Sequence, residues 1–119
     1  MPDAPEALVA AEPLPPRLLQ ETASMFGMLS ATVRLHILWL LVGGECDVGT
    51  LAEYTGQSMA TVSHHLGKLK LAGMVQAHRH GKHKVYVVAD PQIADIVRIA
   101  IGARLELEHS RQRGRRVSR

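Results

Sequence analysis

The stretch Leu51-Ala52-Glu53-Tyr54-Thr55-Gly56-Gln57-Ser58-Met59-Ala60-Thr61-Val62-Ser63-His64-His65-Leu66-Gly67-Lys68-Leu69-Lys70 decides the fold. Asp47 is a suitable N-cap for a short helix over about 48–55, with Val48, Leu51, Ala52 and Thr55 on its inner face. Gly56 supplies a sharp turn, and Ser58 caps a second helix from Met59 to about Ala72. Val62, Leu66 and Leu69 are spaced by four and three residues, so they face inward together. Met59, Ala60, Thr61, Ser63, His64 and Lys68 are left for the outer face, and Gly73 stops the helix. Two helices joined by such a turn form a helix-turn-helix.

Downstream, Met74–Gln76 and Lys84–Val88 read as two strands around the turn His80-Gly81-Lys82-His83, where Gly81 can take positive φ. Upstream, Pro15-Pro16 opens a helix over 16–29 with Leu18, Leu19, Thr22, Ala23, Phe26 and Leu29 in its apolar stripe. Ser30 or Thr32 caps the next helix, in which Val33, Ile37, Leu40 and Leu41 recur at helical spacing until Gly43-Gly44. Asp90 and Pro91 begin a last helix carrying Ile93, Ile96, Val97, Ala100, Ile101 and Leu105, with Ile99, Ala103 and Leu107 on a further face.

A terminal helix that is apolar on more than one side packs against something outside its own domain, most simply a second copy of the chain. The expected dimer interface is therefore Leu18, Leu19 and Phe26 from the first helix with Ile93, Ile96, Val97, Ala100, Ile101 and Leu105 from the last. The order α-α-α-α-β-β-α predicts a mostly α, dimeric winged helix-turn-helix with a small β-hairpin wing. Residues 15–110 make the domain, 1–14 a flexible arm and 111–119 a disordered basic tail.

Charge agrees with this pattern. From Tyr54 through Ala89 there is no Asp or Glu, while five Lys/Arg and five of the seven histidines fall in that stretch. The formal net charge is only +3, so the cations are concentrated and not general. A helical motif without acids suits a polyanion, and a helix fits the major groove of double-stranded DNA. Thr61, Ser63 and His64 can hydrogen-bond base edges or phosphates, and Met59 and Ala60 can contact thymine methyls. On the wing, Arg79, Lys82, His83 and Lys84 are placed for phosphate. Aromatic residues are few, against a base-stacking single-strand or RNA module.

The single Cys46 excludes an intramolecular disulfide framework and a CxxC metal site, and fits a reducing cytoplasm. The acidic, Pro-rich start lacks the features of a signal peptide, and Ile37–Val42 is too short an apolar run to span a membrane. No nucleophile motif, paired-carboxylate pocket or cofactor loop supports an enzyme. A winged helix serving only as a protein-docking module is the alternative function, and the acid-free helix weighs against it.

Three stretches resemble the ArsR/SmtB winged-helix repressors of bacteria: Leu29-Ser30-Ala31-Thr32-Val33-Arg34-Leu35-His36-Ile37-Leu38, the unit from Val48 to Leu69, and Gly73-Met74-Val75 with Arg79-His80-Gly81-Lys82 and Val85-Tyr86. The resemblance covers roughly residues 17–108. It implies a homodimer that sits on a palindromic operator and represses transcription, and in many members a metal that releases the DNA.

The metal sites of that family map poorly here. The thiolate site falls on Asp47, Val48 and Gly49, with Cys46 displaced by one position and alone. A soft-metal site needs two or three sulfurs. The site on the last helix falls on Asp90, Gln92, Ala103 and Glu106, so both imidazole positions are lost, although Glu108 and His109 lie nearby. Zinc, nickel or cobalt there is a weak expectation, and no metal ligand is assigned. His78 and His80 share a strand face near His83, which allows a metal cluster or simply histidines beside DNA.

Overall fold

The computed structural model describes residues 12–117. The elements are α1 (Pro16–Leu29), α2 (Thr32–Val42), β1 (Cys46–Asp47), α3 (Val48–Thr55), α4 (Met59–Leu71), β2 (Val75–His80), β3 (His83–Val88) and α5 (Pro91–Val117). The winged helix-turn-helix is as expected, with one added strand. β1 pairs antiparallel with β3 through Cys46↔Tyr86 and Asp47↔Val85, giving a three-stranded sheet in the order β1-β3-β2.

The local chemistry explains the boundaries. Pro16 sits in the first turn of α1, where its missing N–H has no intrahelical partner to lose. Neither Ser30 nor Thr32 caps α2. Its N-cap is Ala31, which makes no side-chain cap bond, while Ser30 Oγ donates back to Gly27 O at 2.8 Å and closes α1. Asp47 Oδ1 accepts from Thr50 N at 2.7 Å, and Ser58 Oγ accepts from Thr61 N at 3.0 Å, so α3 and α4 both begin on the anticipated caps. The hydrogen bond to Thr50 also holds the Asp47 carboxyl below its ordinary pKa.

Helix α4 ends in a Schellman motif. Gly73 takes φ +76°, Gly73 N–H donates to Lys70 O at 3.0 Å, and Met74 N–H donates to Leu69 O at 2.9 Å. Leu69 and Met74 are both buried, which supplies the apolar contact of that motif. The core gathers Ile37 and Leu38 of α2, Leu51 of α3, Val62, Leu66 and Leu69 of α4, Val75 and Tyr86 of the sheet, and Ile93 and Val97 of α5. No polar or charged side chain is buried among the described residues, so the core itself is held by apolar packing.

Two boundaries differ from expectation. The wing strands are longer than the apolar pattern indicated, because ladder pairing continues through His78↔Val85, Arg79↔Lys84 and His80↔His83 to a two-residue Gly81-Lys82 loop. The basic segment after Ser110 is helix to Val117 and not a disordered tail from 111. Arg111 reaches Glu108 at 3.3 Å and Arg113 reaches Ser110 at 3.2 Å, pairs that support continued helix. Residues 1–11 of the expected arm, and 118–119, lie outside the described residues. Among the described residues no single helix is long and apolar enough to cross a membrane.

Candidate nucleic-acid interface

The face of α4 opposite the core presents Met59, Ala60, Ser63, His64 and Lys68 to solvent. Thr61 belongs less fully to that face. It is half-buried, and its hydroxyl accepts from Ser58 Oγ at 2.9 Å, so part of its hydrogen-bonding capacity is spent on the cap. Met59 is 58% exposed, a costly position for an apolar side chain without a partner. Tyr54, exposed at the end of α3, flanks the same entry to α4 and was not among the expected contacts. Its phenol can donate to a phosphate.

Arg79, Lys82, His83 and Lys84 are all exposed on the wing. Lys84 has a second allegiance, since its ammonium lies 5.5 Å from the centroid of the Tyr86 ring. The acid-free run in sequence is not acid-free in space. Glu45 Oε2 lies 3.4 Å from His80 Nε2, and β1 brings Asp47 beside Val85 on the wing. Glu45 can hold His80 away from phosphate when that imidazole is protonated, which leaves Arg79 and Lys82 as the freer cations.

Behind α4 lies a contact that the linear pattern did not reveal. Arg34 Nε donates to Met28 O at 2.8 Å, and Arg34 Nη1 lies 3.4 Å from His65 Nδ1. Burial, then Arg34, His64 and Lys68, push the His65 pKa below its ordinary value. A neutral His65 with its proton on Nε2 can accept the guanidinium hydrogen bond.

The expected dimer residues divide into two sets. Ile93 and Val97 are 3% and 1% exposed and pack within the chain's own core. Leu18, Leu19, Phe26 and Leu105 are exposed, Ala100 is exposed, and Ile96 and Ile101 are half-buried. Phe26, Leu35, Ile96 and Ala100 line an apolar hollow of about 280 Å³ between α1 and α5, a shape that a side chain from a second copy can fill.

The residues do not fit the metal sites of the resemblance. Asp90 Oδ1 accepts from Gln92 N at 2.9 Å as the cap of α5, and the two neighbouring family positions are an amide and a methyl. Among the described residues no three His, Cys, Asp or Glu side chains gather as a metal would need. Cys46 is half-buried, and burial followed by Asp47 and Glu45 raises its thiol pKa, which opposes the thiolate that a soft metal requires.

Known proteins resemble this chain in sequence and in fold. A sequence model described as bacterial regulatory protein, arsR family, matches residues 31–77. The HTH-type transcriptional regulator KmtR of Mycobacterium tuberculosis is 32% identical over 99 residues, covering 83% of this chain and 74% of that one. A probable mercury resistance operon repressor of Streptomyces lividans is 39% identical over 79 residues, covering 66% of this chain and 63% of its own length. The homodimeric winged helix-turn-helix DNA-binding domain Mb0332 of Mycobacterium bovis, solved by NMR, superposes with a TM-score of 0.67 at 35% identity, covering 78% of this chain and 87% of that one.

Proposed function

This chain belongs to the ArsR family of bacterial regulatory proteins and is a DNA-binding transcriptional regulator; from that premise we propose how it represses. Two copies join through α1 and α5. Their α4 helices then enter successive major grooves of a palindromic operator, about 34 Å apart along the duplex. Met59, Ala60, Ser63 and His64 read base edges, Lys68 and Tyr54 meet phosphate, and Arg79 and Lys82 grip the backbone from the wing. The observation that carries this reading is the exposed outer face of α4, bearing donors and a cation but no acid.

The site of action is the cytoplasm, where the DNA is. Within one chain the donors at 90–109 fit zinc, nickel or cobalt poorly, so the inducer we favour is a ligand other than those metals. Titration with a palindromic fragment from upstream of its own gene tests the proposal. Affinity falls steeply with salt if phosphate contacts dominate, and binding indifferent to salt sinks the mechanism. Resonance shifts confined to residues outside 59–70 on adding DNA point instead to a protein-docking module.

A further inference from the structure

A cleft of about 570 Å³ lies where three elements meet: α1, the end of α4 and the start of α5. Its apolar lining includes the thioethers of Met25, Met28 and Met74 and the side chain of Ile93. Cavities of about 300–1,000 Å³ with apolar walls and a few fixed polar groups are typical of small-ligand sites. Methionine walls adapt to varied apolar shapes. The cleft uses the α1 stripe Arg17, Glu21, Ser24, Met28; of the exposed apolar residues of α1, Leu19 and Phe26 stand on another stripe, while Leu18 shares a face with the cleft residue Met25 and borders it.

The charges at the cleft do not cancel. Arg17 Nη1 and Glu21 Oε2 satisfy one another at 3.3 Å. Asp90 is the remaining charged lining residue. Its Oδ1 accepts one backbone N–H, from Gln92, and no ion pair to it occurs among the described residues. The N-terminus of α5 contributes roughly half a positive charge, which the full negative charge of the carboxylate outweighs. We propose that this cleft binds a small apolar amine, its hydrocarbon part among Met25, Met28, Met74 and Ile93 and its ammonium group against Asp90.

The position gives such a ligand leverage on repression. Met74 closes the Schellman motif that ends α4, and Ala72, the C-cap of α4, lines the same cleft. A molecule wedged between α1 and this turn shifts the recognition helix relative to the dimer helix. This second step rests on the repressor reading, whereas binding in the cleft does not.

The test uses full-length dimer with isotope-labelled methionine methyls and three probes sharing one hydrocarbon body: phenylbutylamine, phenylbutanol and phenylbutyrate. Phenylbutylamine is expected to shift Met25, Met28 and Met74 while leaving the exposed Met59 unmoved, and to bind about tenfold tighter than the alcohol. Asp90→Asn keeps an N-cap residue while removing the charge, so it should bring the amine down to the affinity of the alcohol with the fold intact. Shifts at Met59 as well, equal binding of the acid, no shift at all, or an unchanged preference in Asp90→Asn each overturn the proposal. Amine at a concentration that fills the natural protein but not Asp90→Asn should also weaken operator binding in the natural protein and much less in Asp90→Asn. An operator affinity unmoved by bound amine overturns the inducer role, while failure of the free protein to bind DNA at all counts against the repressor reading alone.

Discussion

Arg34 and His65, 31 positions apart in sequence, meet at 3.4 Å and join α2 to α4. The same guanidinium holds Met28 O at the end of α1, so Arg34 links three helices. Because the folded pKa of His65 lies below its ordinary 6.5, the unfolded chain takes up a proton first as pH falls. The stabilising contribution is present above about pH 6.5 and is lost on acidification towards the folded value. Urea denaturation at about pH 7.5 and about pH 5.5 should show the natural protein losing more stability than His65→Gln. Equal losses would remove His65 from this role.

The two helix caps give the next prediction. Ser58→Ala and Asp47→Ala each remove an acceptor for a first-turn N–H and should cost about 1 kcal/mol, while Asp47→Asn should cost little. Midpoints of urea unfolding at constant slope measure this. Ser58→Ala should also weaken operator binding, since Ser58 orients Thr61 as well.

Wing and helix cations should separate by salt dependence. Lys68→Ala removes a cation on the exposed face of α4 and should lower the slope of log affinity against log salt by about 1. Lys84→Ala should change it less, because the Lys84 ammonium rests over the Tyr86 ring. An equal change for both variants would mean that Lys84 leaves the ring to meet phosphate.

On α5, Ile96 and Ile93 differ by one helical turn and should differ in phenotype. Ile96→Glu, or Phe26→Glu on α1, should yield a folded monomer by sedimentation, since both side chains line the hollow between the helices. Ile93→Ala should leave the dimer but cost about 2 kcal/mol or more, because the side chain is buried in its own protomer.

The elements legible in sequence were those whose signals are local. Asp47, Gly56, Ser58 and Gly73 act on residues within four positions, and each performs the function that its chemistry predicts. Strand β1 was invisible because Cys46 and Asp47 show no alternation and become a strand only by pairing with Tyr86 and Val85. The outer wing carries no apolar signal in sequence, because His78, Arg79 and His80 are held by ladder pairing and not by apolar packing. The last helix continues past 110 without an apolar signal, since residues 111–115 are all exposed and periodicity carries no information there. For the interface, the outer face of α4 followed from spacing, whereas Arg34, Tyr54 and the approach of Glu45 to His80 needed the folded chain.

Asp47 occupies two structures at once, as the end of β1 and the cap of α3. A hairpin attached only at its base could swivel without disturbing its neighbours. Here any tilt of β3 pulls on Asp47 and hence on the first turn of the helix that precedes α4. The reach of the protein across a groove is thereby set as a fixed calliper width, so an operator with one base pair added inside a half-site should be refused rather than accommodated.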